Sequence, residues 1–245
     1  MAIAHQSDQR QLVGQTSALA HLTWLRALLA ACIILAPASI TLYLVTWTGN
    51  VRQPLVVSAA ASPTANTLHL IGAVAASFFL PLGYLGMSLL GMLRAPRLAT
   101  IAAALSLIGW IPWAALITAD DLAIDINQIG STPQLAGLWA HFNGDAVMSA
   151  YLLIYIVGHL LSAVLIGIML GRLRIIPVWA AWAFALTSPL TMLYFPVHTT
   201  VVQETLKYVI CALLTAGAVP AAFAMLRGNG HLATESVDRE SAVAR

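Results

Sequence analysis

The chain alternates between long apolar runs and short polar breaks. Six runs of roughly 20 to 27 residues stand at about 24–47, 67–93, 98–119, 146–170, 176–195 and 204–226. A helix rises about 1.5 Å per residue, so some 20 residues cross a hydrocarbon core of roughly 30 Å. Each run far exceeds the usual strand length and lacks period-2 alternation. Backbone polar groups in hydrocarbon must pair within their own segment, which leaves helices. The pattern therefore predicts an all-α polytopic membrane protein with six transmembrane helices in a single bundle. It divides the chain into a polar N-terminal tail at 1–23, a membrane domain at 24–226 and a disordered C-terminal tail at 227–245. The first 20 residues are polar and lack an apolar core of the signal-peptide kind. Span 1 is expected to act as an uncleaved signal anchor.

The arginines orient the bundle. Arg10 and Arg26 flank the start of span 1, Arg94 and Arg97 lie between spans 2 and 3, and Arg172 and Arg174 between spans 4 and 5. Arg227, Arg239 and Arg245 follow span 6, and Arg52 alone sits in an alternate loop. Positive residues stay inside, so both termini are expected in the cytoplasm. The segments 48–66, 120–145 and 196–203 then face out.

Composition supports the same class. The chain is 60% hydrophobic and 8% charged, against roughly 25% charged in average soluble domains. A net charge of +2, with arginines in singles and pairs, excludes a nucleic-acid platform. Cys32 and Cys211 lie in different apolar runs and form no C-x-x-C pair. Alanine- and arginine-rich, lysine-poor usage points to a high-GC bacterium and so to its cytoplasmic membrane.

Two internal features concern packing. Leu90-Gly91-Met92-Leu93-Arg94 and Leu170-Gly171-Arg172-Leu173-Arg174 echo each other, and each following span carries a proline, Pro112 or Pro189. They suggest two similar hairpins in parallel orientation, or convergence on the same arginine turn. Gly83, Gly86, Gly91, Gly167 and Gly171 let helices approach closely, within one bundle or between copies.

Candidate chemistry gathers toward the outer side. Asp120, Asp121, Asp125, His141, Asp145, His69, His198, Glu204 and Lys207 all fall at or near it. His159 lies deep in span 4, roughly 20 Å from the outer surface by helical rise. Ionisable groups at such depth usually face an interior or a cavity. Helical spacing places Asp145, Ser149, Leu152, Ile156 and His159 on one stripe, a candidate polar wall. The plain alternative is a histidine bonded to a neighbouring helix, for instance to a carbonyl freed by Pro189. Glu204 and Lys207 are one turn apart and can pair. Lys207 is expected to snorkel to the interface unless it serves a site. The candidate ligand-binding residues are thus His159, Asp145, Ser149, Glu204, Lys207 and His69.

Cofactor readings find little support in the pattern. A haem held by His159 and His69 fails because the two depths differ. A retinal on Lys207 fails because helix count and depth are wrong. Asp120-Asp121-x-x-x-Asp125 has a spacing similar to one aspartate motif of membrane prenyltransferases, which hold magnesium. The second motif is absent, Asn143-Gly144-Asp145 is a poor substitute, and these acids face out. A solvated acidic loop is expected, and no metal site. Thr132-Pro133 should cap a short helix over Pro133–Phe142, with Trp139 and Phe142 at the interface.

H-E-x-x-H, G-x-S-x-G and Walker motifs are missing. Three functional classes remain: outward-open binding or transport of a small or lipid-like molecule, a non-catalytic subunit serving a membrane-protein partner, and an intramembrane enzyme pairing His159 with a carboxylate. The last has the fewest parts, and the partners expected in every case are lipids.

Overall fold

A computed structural model describes residues 2–48, 53–194 and 199–227. Arg52, His198 and the tail beyond Arg227 lie outside these residues. The described chain is helical, with no strand among its residues. Ten helices follow in order: α1 (Ala2–Thr46), α2 (Pro54–Ala60), α3 (Pro63–Leu90), α4 (Pro96–Trp110), α5 (Trp113–Leu116), α6 (Thr118–Ile129), α7 (Pro133–Gly144), α8 (Ala146–Arg172), α9 (Val178–Tyr194) and α10 (Thr200–Arg227).

Five stretches are long and apolar enough to cross a membrane: Thr23–Thr46, Pro63–Leu90, Pro96–Ile129, Ala146–Arg172 and Val201–Arg227. The sixth apolar helix, α9, has 17 residues, about 26 Å by helical rise. The six helices form a ring. Neighbours pack in the order α1, α3, α4, α8, α9, α10, and α10 returns to α1. Phe184, Leu80, Tyr84, Ile33 and Ile166 belong to its buried core.

Local sequence explains three of the helix starts. Ser62 and Thr132 each precede a proline, and their hydroxyls accept from Ala65 N at 3.2 Å and Leu135 N at 3.3 Å. Proline at the first helical position loses no hydrogen bond. Asp145 caps α8 by accepting from Met148 N at 2.8 Å. The third apolar run breaks after Trp110, because Pro112 cannot donate to the preceding turn.

Glycines set the helix spacing. A Cβ at Gly83 would meet Cys32 O at 3.0 Å, and one at Gly167 would meet Ala185 Cβ at 2.6 Å. Gly91 abuts Met169, and Gly171 abuts Ala181. These small residues thus serve contacts inside the bundle. The two arginine turns also meet, Arg94 donating to Leu173 O at 3.3 Å.

The tightest crossing was not evident from the sequence. A Cβ at Gly109 would run into His159 N, and one at Gly158 would run into Gly109 Cα. Backbone touches backbone there, so α4 and α8 pass at the minimum separation.

The end of the bundle opposite the arginine turns carries a cap of short helices. α2 packs on α6, and α6 on α7. Trp47, Val57 and Ile124 form a small apolar cluster beneath it. Asn127 Nδ2 binds α2, donating to Leu55 O at 2.8 Å and Ser58 Oγ at 2.7 Å. The short helix expected at Pro133–Phe142 is present as α7, and the segments 48–66 and 120–145, otherwise expected as loops, also hold α2 and most of α6.

Candidate functional site

The Gly109–Gly158 crossing places the next residue of each helix side by side. Trp110 and His159 have ring centroids 5.4 Å apart. His159 also stacks on Tyr155 of its own helix at 4.3 Å and 17°. The break at Pro112 turns Trp113 toward the same space, 5.4 Å from Tyr155 and 5.1 Å from Tyr43 on α1. Tyr84 of α3 completes this wall, 5.4 Å from Trp110.

These aromatics enclose a chamber of about 150 Å³ in the middle of the ring. Its other side comes from Thr187, Ser188 and Thr191 on α9, and from Lys207 and Cys211 on α10. A vestibule of about 480 Å³ lies beside it at the capped end. Asp120, Trp139, Asn143 and Leu152 contribute to its walls. Tyr43, Trp113 and Tyr155 line both spaces. They form an aromatic collar between vestibule and chamber.

His159 faces this interior and is 3% exposed. Its Nδ1 stands 2.6 Å from Tyr155 O. A carbonyl only accepts, so the proton sits on Nδ1 and Nε2 carries a lone pair. Among the described residues, that Nε2 has no hydrogen-bond partner, nor has the buried indole N–H of Trp110. An unmet buried polar group costs about 1–3 kcal/mol, and two adjacent ones of opposite character mark a polar spot in an apolar wall. The proline-freed carbonyl imagined as a partner for His159 plays no such part. Instead Ser188 Oγ donates to His159 O at 3.4 Å.

The stripe expected to accompany His159 forms a wall only in part: Leu152 and Ile156 line the vestibule and His159 the chamber, but the two polar members do not join them. Asp145 spends its carboxylate on the α8 cap, and Ser149 is exposed. The inward face of α8 runs instead through Met148, Tyr155, His159, Ser162 and Ile166. Positions 145 and 149 lie beside that face rather than on it.

Lys207 departs further from expectation. It does not snorkel: it is 1% exposed, and its Nζ donates to Trp47 O at 3.0 Å while pairing with Glu204. Trp47 directly follows α1, where helix carbonyls lack intrahelical donors, so a cation there is favourable. The lysine thus ties α10 to the end of α1 at the chamber wall.

His69 and Asp120 make a second cluster under the cap. Helix α3 starts four residues earlier than expected, at Pro63, and His69 is 2% exposed rather than at the surface. Its Nδ1 donates to Tyr43 O at 2.9 Å, and Nε2 faces Asp120 Oδ2 at 3.4 Å. The imidazole stacks flat on Trp47, 3.6 Å away at 4°. Tyr43 Oη donates to the same Asp120 oxygen at 2.8 Å. Asp120 is therefore not a solvated loop residue: α6 is helical and turns it inward. Asp121 and Asp125, on the other side of α6, are exposed as expected. Trp139, expected at the interface, donates its indole to Ala119 O at 2.7 Å and lines the vestibule.

The candidate residues therefore separate. His159 and Lys207 share the chamber, with Glu204 paired to Lys207. His69 belongs to the Asp120 cluster, and Asp145 and Ser149 to neither. Sequence reasoning missed the chamber aromatics, Tyr43, Tyr84, Trp110, Trp113 and Tyr155. Their mutual facing depends on the ring, which no single helix encodes. Among the described residues, no three metal-ligating side chains converge.

Fold and site together define an integral, multi-pass helical membrane protein with an aromatic internal chamber. No known protein family, curated protein or solved structure matches this chain.

Proposed function

We propose that the protein binds or transports a small molecule that enters at the capped end, passes the collar and lodges in the chamber. The observation that carries this is the chamber itself, apolar and aromatic with two unmet polar atoms. Ligand sites have that composition: mainly apolar walls and a few convergent polar groups. Positive-inside places the arginine turns in the cytoplasm, so the capped end and vestibule open outward. Six membrane crossings with both termini inside fit this orientation, α9 being short enough to need little tilt.

The subunit reading has less support, because a purely structural bundle has no use for unmet polar atoms at its centre. The enzyme reading has less still: neither ring nitrogen of His159 bonds a carboxylate.

Cys211 supplies the test, since its thiol lines the chamber while Cys32 does not. Purified protein carrying Cys32→Ala is treated with a small neutral methylthiolating reagent in mild detergent. Cys211 should react in the folded protein, and Asn143→Trp, which fills the vestibule, should slow it. A Cys211 that reacts only after unfolding would make the bundle closed and return the subunit reading.

A further inference from the structure

The unmet pair in the chamber says more about the ligand, given that the chamber is a binding site at all. Trp110 Nε1–H can only donate, and His159 Nε2 can only accept while Nδ1 holds its proton for Tyr155 O. A hydroxyl is the simplest group that answers both, because one oxygen accepts and donates. The two rings have centroids 5.4 Å apart and line the same chamber. The hydroxyls of Thr187 and Thr191 already donate to backbone carbonyls at 2.7 and 2.8 Å. They do not compete for His159.

Charge narrows the class. Lys207 lines the chamber, but its ammonium already faces the Glu204 carboxylate and the Trp47 carbonyl. An added anion would leave one negative charge uncompensated in a low-dielectric interior, and an added cation would oppose Lys207. A neutral guest fits. Size and shape narrow it again. A chamber of about 150 Å³ matches the apolar cavity known to hold benzene. Rings packed edge-on and tilted around it, Tyr84, Trp110, Trp113 and Tyr155, favour a flat aromatic guest over a chain.

We propose that the chamber takes an uncharged aromatic ring bearing a hydroxyl, a phenol-type group whose oxygen accepts from Trp110 Nε1 and donates to His159 Nε2. Any substituent on the ring extends past the collar into the vestibule, whose walls are mainly apolar.

A bound water would satisfy the same two nitrogens, so the experiment must separate the two occupants. Protection of Cys211 from methylthiolation, in Cys32→Ala protein, reads chamber occupancy directly. The probes are phenol, which donates and accepts, anisole, which only accepts, and toluene, which does neither. Phenol should protect at the lowest concentration, about tenfold below toluene, with anisole between them. His159→Phe should bring phenol to the level of anisole. Trp110→Phe should bring anisole to the level of toluene. Equal protection by all three would mean that a water keeps the polar pair; the phenol class would fall and the binding chamber would stand. No protection by any, with Cys211 still reactive, would also sink the class alone. An unreactive Cys211 would sink both readings. Should His159→Phe fail to fold, the order of the three probes on the unaltered chamber still decides.

Discussion

Replacing Lys207 by methionine tests the most unexpected contact in the bundle. The side chain keeps its length and apolar stem and loses its charge. Glu204 then loses its cation, and Trp47 O loses its donor. Breaking a fully buried ion pair costs about 3–5 kcal/mol. The Glu204 side chain is 24% exposed, so water recovers part of that, and roughly 2–3 kcal/mol is expected for the pair. The unmet carbonyl adds about 1 kcal/mol. A chain of this size loses roughly 2–4 °C per kcal/mol, which puts the fall in melting temperature at about 6–16 °C. The assay is thermal unfolding in mild detergent, followed by tryptophan fluorescence. Adding Glu204→Gln to Lys207→Met should restore more than half of the loss, because both charges of the pair are then removed together. A snorkelling lysine would behave differently, since its removal from an apolar helix costs nothing and can stabilise. An unchanged or raised melting temperature in Lys207→Met would refute the buried-pair account.

Gly158→Ala should cost about 1–3 kcal/mol or more by forcing backbones apart, and should also alter Cys211 reactivity, because the same crossing aligns His159 with Trp110; unchanged stability would show that the helices do not pass so closely. Asp120→Ala should destabilise by about 1–3 kcal/mol through the Tyr43 hydroxyl left unmet, whereas Asp121→Ala and Asp125→Ala should stay within about 0.5 kcal/mol; equal effects of the three in thermal unfolding would return Asp120 to the solvated surface. Asp145→Ala should cost about 1 kcal/mol as a lost helix cap and leave Cys211 reactivity alone, and a change in that reactivity would restore Asp145 to the site. A cysteine at Ser131 should be labelled by an impermeant reagent from outside intact cells, and labelling only from the cytoplasmic side would invert the proposed orientation.

Much of the scaffold is determined locally and so could be read in the chain. Long apolar runs must be helical in hydrocarbon whatever their neighbours do. A cap acts over three residues, which is why Thr132-Pro133 is enough to mark the start of α7. The glycines at 83, 86, 91, 167 and 171 announce close packing for the same reason, a missing Cβ being a property of the residue. What the chain left open was azimuth. A membrane helix gains little by turning an apolar face inward, since lipid is as apolar as the core. The direction of His159 followed from its polarity, but the stripe drawn from Asp145 and Ser149 took the neighbouring face. Lys207 could have snorkelled. It turns inward only because α10 runs beside the end of α1, where the Trp47 carbonyl needs a donor. Asp120 could have stayed in water, and it is held by Tyr43 and His69 from two other helices. The chamber is the clearest case. Every helix of the ring contributes to its lining, and only closure of that ring, through the Gly109–Gly158 contact, brings those side chains to face one another.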